Sequence, residues 1–257
     1  MVVGVLIKRV RAGTECAIGE ERCGFRQGRG CMDQVFAVRQ VCEKYLANGK
    51  DVFRAFMDLE KAYDTLDRHG LWQMLRVCGV GGKLLKAVQN FYIDSRACFW
   101  VGNDVSEWFP FNVGLRQGCV MSPWLFNVYM DGVVREVNVM VLGKGLELLS
   151  ANGGRFEINQ LLFADNTPVA DSEERLCRLV SEFGGVCVRR KFRLNVGKSK
   201  VMRCSRYGNA DRMHVIVNGE PLKEVDCFKY LGSHVTADAG ECERDVVHRM
   251  NEGYRAW

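Results

Sequence analysis

Proline is scarce, four residues in 257, and no Pro/Ser-rich linker, internal repeat or low-complexity tract marks a clean domain boundary. Any lobes are therefore expected to interleave along the chain. No apolar run approaches the roughly 20 residues that a bilayer span needs, which reads as a soluble chain with no membrane partner. The opening Met1–Ile7 is apolar and is followed by Lys8 and Arg9, but no basic stretch precedes it and no small-residue cleavage site follows. It reads as the start of a strand or helix. Histidine is also sparse: His69, His214, His234 and His248 lie far apart, and none of the 12 cysteines stands in C-x-x-C spacing. That pattern offers no ligand pair at zinc spacing and argues against a zinc site. The cysteines are scattered singly from Cys16 to Cys242 in a long chain without a secretion signal, which implies reduced thiols of cytosol or nucleus rather than a disulfide scaffold.

What is present is an ordinary apolar content of 47% and a net charge of +5, enough for one large domain or two lobes with a real core. A polyanionic partner is compatible with that charge but not demanded by it. After Asp33, a candidate N-cap, apolar residues recur on one helical stripe from Gln34 to Leu46. Asp51 to Asp58 reads as a short strand, Gly70 to Cys78 and Lys83 to Tyr92 as helices, and 96–109 as a hairpin. A long apolar helix is expected from Ser122, with Pro123 at its first turn. Asn159 to Ala170 reads as a hairpin with an acidic turn, Glu173 to Val188 as a helix, and strands follow at 192–196, 201–205, 214–217 and 227–231. A last helix is expected from about Glu241. The class is α+β, a carboxylate-bearing sheet backed by helices.

Three constellations carry chemistry. In Phe56-Met57-Asp58-Leu59-Glu60-Lys61-Ala62-Tyr63-Asp64, Asp58 closes an apolar strand, either as a metal ligand or as the cap of the next helix. In Phe163-Ala164-Asp165-Asn166 an acidic turn joins two apolar strands. Two strand-end carboxylates that converge are what two-metal phosphoryl transfer requires, although spacing cannot show convergence. The third, Gly114-Leu115-Arg116-Gln117-Gly118-Cys119-Val120-Met121-Ser122-Pro123, is a glycine-rich turn feeding a helix, where backbone N–H groups can face a phosphate or base. A basic run from Arg189 to Arg206 holds eight cations and no acid.

The order GFRQGRGCMDQ, FMDLEKAYD, GLRQGCVMSPWLFN, LLFADN, LNVGKSKVM and FKYLG resembles the successive blocks of non-LTR (LINE-type) retrotransposon reverse transcriptases over about Cys23 to Gly232. The resemblance implies a right-hand polymerase fold, with fingers over 1–50, a palm with an interleaved fingers segment over 51–205, and a primer-grip-like hairpin and the start of a thumb over 206–257. It implies an RNA-directed DNA polymerase acting on an RNA template, a DNA primer and deoxynucleoside triphosphates with two Mg²⁺ ions, or Mn²⁺ in their place. On that resemblance Asp58 and Asp165 are the metal-binding aspartates. Tyr63 is the bulky residue whose ring collides with a ribose 2′-OH. Gln117 and Gly118 let template and incoming base approach the backbone, and Arg26 and Arg29 contact phosphates through charge-assisted bonds. Lys198, rather than Lys200, is the proton donor to departing pyrophosphate.

The departures from the family pattern are as informative. Where the family has two consecutive aspartates this chain has Asp165-Asn166, so one anionic ligand position is a neutral amide. The strand after Thr167 reads one residue short, which is expected to swap its faces, and Pro168 removes a ladder donor. With no upstream endonuclease and little thumb, the chain reads as a fragment or decayed copy. The expectation is a polymerase impaired in this copy, or a relic that at most binds nucleic acid.

Overall fold

The computed structural model describes residues 2–141, 145–149, 153–163, 166–207 and 211–238, together with Val246 and Met250. In chain order its main elements are helices α1 (Val2–Thr14) and α2 (Cys31–Ala47), strand β1 (Val52–Phe56), and helices α3 (Ala62–Thr65), α4 (Arg68–Val77), α5 (Gly82–Tyr92) and α6 (Ser122–Met140). Strands β2 (Gln160–Leu162) and β3 (Asn166–Ala170), helix α7 (Glu173–Arg189), and strands β4 (Lys200–Cys204), β5 (Lys223–Glu224), β6 (Cys227–Tyr230) and β7 (Ser233–Thr236) follow. These fall into two units, each assembled from three stretches of chain: Met1–Gly19, Lys61–Val133 and Arg189–Phe192 in the first, Glu20–Glu60, Val134–Val188 and Arg193–Trp257 in the second.

The first unit is built on the N-terminal part of α6, where Trp124, Leu125, Phe126, Val128, Tyr129, Met130 and Val133 are all buried. A helix apolar around its whole circumference must be enclosed, and each such side chain contributes about 1.5–3 kcal/mol on burial. The polar edge of Trp124 is satisfied, its Nε1 donating to Thr14 Oγ1 at 2.8 Å, while Thr14 itself donates to Val10 O at 2.8 Å. Arg68, buried in the first turn of α4, donates to the carbonyls of Tyr92, Phe111, Val113 and Gly114 and so fixes the loop leading into the glycine-rich turn. Burial pulls the Arg68 guanidinium below its ordinary pKa. Residues 96–110 form the expected hairpin, Arg96–Ala97 against Phe109–Pro110 and Trp100–Val101 against Asp104–Val105.

The second unit centres on a five-stranded sheet in the order β5-β4-β1-β3-β2, antiparallel throughout except for the β4–β5 pair. Every residue of β1 is buried, as befits a central strand covered on both faces. Helix α2 lays Val35, Val38, Val41, Cys42, Tyr45 and Leu46 against Val52, Phe56, Val169, Met202 and Cys204. Its apolar stripe was readable, but its cap was not as expected. Asp33 is the third residue of the helix, not its N-cap, and its Oδ2 accepts from the N–H of Gly30, which holds the cap position, at 2.6 Å. Helix α7 buries Leu176, Leu179, Val180, Phe183, Val186 and Cys187 at helical spacing. The apolar start of the chain is a helix, not a strand. The further helix expected from Glu241 lies outside the described residues.

Pro168 sits in an interior strand, between β1 and β2. The β1–β3 ladder nevertheless keeps one register on both sides of it: Met57 opposes Asn166, Arg54 opposes Val169 and Phe53 opposes Ala170. The interruption falls opposite Ala55, where proline offers no N–H. Within the described strand Val169 lies in the core that α2 covers and Asn166, an odd number of residues away, points to the other side.

Candidate active site

In the second unit β1, the central strand, delivers Asp58 to one end of the sheet. Phe56 and Met57 are buried and Asp58 is half-buried, so the carboxylate emerges where the strand leaves the core. Both backbone groups of Asp58 are tied: its N–H donates to Ser199 Oγ at 3.1 Å, and its carbonyl accepts from Asn195 N at 2.9 Å. Ser199 is fully buried. The block LNVGKSK is thus joined to Asp58 through a tight turn in which Asn195 also caps Lys198 and Ser199. That partnership between segments over 130 residues apart in the chain had no sequence signal.

Asp165, expected beside Asp58, lies outside the described residues, as does Ala164. Asn166 is described, and it begins β3 rather than standing in the turn. Its backbone carbonyl accepts from Met57 N at 2.9 Å, one residue before Asp58. Its side chain is 2% exposed and Nδ2 donates to Gln160 Oε1 at 2.6 Å, while Gln160 Nε2 donates to Asn138 Oδ1 at 2.8 Å. Asn166 Oδ1 is buried without a hydrogen-bond partner. Neither Gln160 nor Asn138 was singled out by sequence reading.

A cavity of about 480 Å³ opens at this end of the sheet, walled by Phe56, Met57, Asp58, Gly197, Lys198, Lys200 and the end of β6 with the residue after it, Phe228–Leu231. The β6–β7 hairpin is braced there by aromatic contacts. Phe228 stacks on Phe56 with centroids 4.4 Å apart, Tyr230 lies 5.3 Å from Phe56, and Thr167 Oγ1 donates to Tyr230 Oη at 3.2 Å. Lys198 is exposed, whereas the Lys200 ammonium bonds the carbonyls of Gly197 and Ser199. Partial burial, and then the nearby Lys223, lower the pKa of Lys200.

The segment Glu21–Gly24 runs beside β2: Cys23 N donates to Leu162 O at 2.8 Å and Leu162 N to Glu21 O at 3.0 Å. Gly24 is required by this approach, because a Cβ there would stand 2.1 Å from the Phe163 carbonyl oxygen. The arginines that follow are held by one acid. Arg29 pairs with Glu20 and also donates to its carbonyl at 2.7 Å, and Arg26, only 9% exposed, lies 3.6 Å from the same carboxylate. The Arg29 hydrogen bond holds the Glu20 carboxyl below its ordinary pKa.

In the first unit Tyr63 stacks on Phe126 at 4.7 Å and 14°. Its carbonyl accepts from Leu115 N at 2.7 Å, and Gln117 Nε2 donates to Asp64 Oδ1 at 2.9 Å. The glycine-rich turn is therefore clamped to the Tyr63–Asp64 step. Gly114, at φ +76°, permits it: a Cβ would come 2.5 Å from Asp64 O. Gln117 and Gly118 are exposed, Gly118 at φ +77°. Nothing in the sequence pattern marked Asp64 for this role.

This mixed α/β architecture is that of a reverse transcriptase fold. It is similar to apo telomerase from Candida tropicalis truncated from its C-terminal domain, at a TM-score of 0.58 and 10% identity over 93% of this chain and 43% of that one. Telomerase from Candida albicans in complex with a telomeric RNA fragment gives a TM-score of 0.55 and 10% identity, over 91% and 36%.

The chain belongs to the reverse transcriptase (RNA-dependent DNA polymerase) family, whose model matches residues 3–235. Its relatives include Pol polyproteins of retrotransposable elements. It is 28% identical over 142 residues to that of the type-2 element R2DM of Drosophila melanogaster, covering 55% of this chain and 13% of that protein. It is 24% identical over 194 residues to that of the type-1 element R2 of Popillia japonica, covering 72% and 31%. The chain thus spans under a third of the length of these relatives. Among the described residues no helix is long and apolar enough to cross a membrane.

Proposed function

We propose that this chain carries the polymerising centre of a non-LTR retrotransposon reverse transcriptase, joining deoxynucleotides to a DNA primer 3′-OH on an RNA template. The observation that carries this reading is the cavity where Asp58 meets Lys198, Lys200 and Lys229 beside the braced β6–β7 hairpin. An acid among cations at the end of a rigid strand suits a phosphate-bearing substrate held through a metal ion. On this reading the five-stranded sheet is the palm, the segment bearing Arg26 and Arg29 belongs to the fingers, and β6–β7 grips the primer.

Asp58 offers magnesium, and manganese equally, a carboxylate at the cavity, whereas the unpartnered amide oxygen of Asn166 is buried outside the residues that wall it. No group of three His, Cys, Asp or Glu side chains suited to a metal occurs among the described residues. The set is short of charge for two ions. When bound, such ions would lower the pKa of the primer hydroxyl and offset charge on the triphosphate. The chain's own residues do the positioning. Ser199 and Asn195 fix the backbone of Asp58, and Lys198 holds a proton for the departing pyrophosphate. Arg26 and Arg29 take phosphate oxygens in exchange for Glu20. Tyr63, stiffened by Phe126, rejects a 2′-OH, and Gln117 and Gly118 border the templating base.

A second reading, a relic that binds nucleic acid without polymerising, is favoured by one observation: Asn166 Nδ2 is committed to Gln160 where the family carries a carboxylate. Primer extension on an RNA template with magnesium, run on this chain and on Asn166→Asp, separates the two. Weak extension that the variant raises supports an impaired polymerase. None in either supports the relic, and equally robust extension in both contradicts any impairment.

A further inference from the structure

The sheet face that α2 covers holds a deeply buried cation. Arg54, on β1, is 1% exposed, and no carboxylate pairs with it among the described residues. Its guanidinium donates to Thr236 O at 2.7 Å, Met202 Sδ at 2.7 Å and Cys42 Sγ at 3.1 Å, and lies 5.6 Å from the Phe56 ring. A buried cation without a counter-anion is strongly unfavourable. The same Cys42 sulfur is within reach of the Cys204 S–H at 3.7 Å, nearer than that group's other acceptor, Thr236 O, at 3.9 Å. Two donors therefore converge on one sulfur, which is the arrangement that stabilises a thiolate.

We infer that Cys42 is the counter-anion of Arg54 and that Cys42 and Cys204 form an oxidation site, a buried dithiol that peroxide converts to a disulfide joining α2 to β4. The groups facing the pair agree with this division of roles. The Cys204 S–H, and with it the Arg54 charge, pulls the Cys42 thiol down to about 7 against the opposing effects of burial and Glu43. The bond to Cys42 and burial push Cys204 well up, with Asp238 acting in the same direction. Cys42 is thus the attacking sulfur and Cys204 the resolving one.

The chemistry balances with hydrogen peroxide as oxidant. The Cys42 thiolate attacks one peroxide oxygen, forming S–O and breaking O–O, and the hydroxide released takes a solvent proton. Cys204 then attacks the Cys42 sulfur, forming S–S and breaking S–O, and its proton leaves with the second hydroxide as water. Two electrons pass from the two sulfurs to peroxide, giving two waters. The sulfurs must close from 3.7 Å to the usual S–S distance of about 2.05 Å.

Cys187 supplies an internal control. It is as deeply buried, but no cation attends it, and burial alone pushes its thiol up to about 12. Limited access protects both residues, whereas thiolate character distinguishes them. The test uses the whole 257-residue chain: exposed Cys16, Cys31 and Cys227 are alkylated under native conditions, peroxide is added, and the chain is denatured, alkylated again and mapped by mass spectrometry without reductant. The expected result is a Cys42–Cys204 cross-link reversed by dithiothreitol, with Cys42 consumed at least about tenfold faster than Cys187. In Cys204→Ser the cross-link is lost and Cys42 is trapped by dimedone as a sulfenic acid. Recovery of Cys42 and Cys204 as free thiols, or reaction of Cys42 no faster than Cys187, overturns the inference.

Discussion

At the scale of single residues, position 166 holds two tensions at once. The Asn166 amide sits in a buried chain of polar groups with Gln160 and Asn138, which a carboxylate could join only by accepting where the amide now donates. Asn166→Ala strands Gln160 and is expected to cost about 1–3 kcal/mol, measured by urea denaturation, with Gln160→Met in the same chain recovering part of the loss. Asn166→Asp remains tolerable because both neighbouring amides can turn end for end and donate toward it. Its expected effect is a rise of about tenfold or more in magnesium-dependent primer extension, and Asp58→Asn should abolish that gain by about 10²-fold without loss of fold. Extension by Asp58→Asn equal to its parent would remove Asp58 from the chemistry. Asp58 could be read from the sequence because it closes an apolar strand. The Gln160–Asn138 chain could not, because polar partners across a sheet and helix leave no periodic trace.

Elements repeat the lesson at larger size. Helices α2, α4, α5 and α7 were legible because each keeps an apolar stripe at helical spacing over ten or more residues. The two-residue strand Leu59–Glu60 escaped, since no alternation can be counted in two positions, whereas its partner Arg193–Leu194 falls within the strand expected over 192–196, and the pair seats the loop that holds Asp58. Pro168 shows a local rule broken without loss of topology. It was expected to disturb the strand, but its missing donor faces only Ala55 while the pairing with β2 continues through Gln160. Replacing Pro168 is therefore expected to leave primer extension nearly unchanged, whatever residue stands at 166. The β6–β7 hairpin is the sensitive element. Tyr230→Phe deletes the bond from Thr167 and should cost about 1 kcal/mol in denaturation. If the hairpin grips primer, the same variant raises the primer concentration needed for half-maximal extension more than it lowers the saturated rate. The reverse pattern would place Tyr230 in support of the chemistry instead.

For the molecule as a whole, the net charge of +5 says little until its distribution is seen. Within Arg189 to Arg206 the chain alternates: Lys191 and Arg193 are exposed while Phe192 and Leu194, which follow each of them, are buried. Lys198 and Arg206 are exposed as well, but Arg203 is spent on Asp51, its Nε and Nη2 both donating to Oδ2 at 3.0 and 2.8 Å, and on the Phe53 ring at 5.3 Å. A basic run in sequence thus overstates the charge free to meet a polyanion. The acidless composition was legible; which cations are already occupied was not, because Asp51 lies on a neighbouring strand end far away in sequence. Binding of an RNA–DNA duplex is expected to weaken steeply between low and moderate salt as counterions are released. Lys191→Ala, Arg193→Ala and Lys198→Ala should each lower the magnitude of the slope of log affinity against log salt by about one. Arg203→Ala should instead act on stability, by removing the Asp51 pair, and leave that slope unaltered. Slopes measured by fluorescence anisotropy that fall for Arg203→Ala but not for the three exposed positions would show that nucleic acid approaches a different face of the protein.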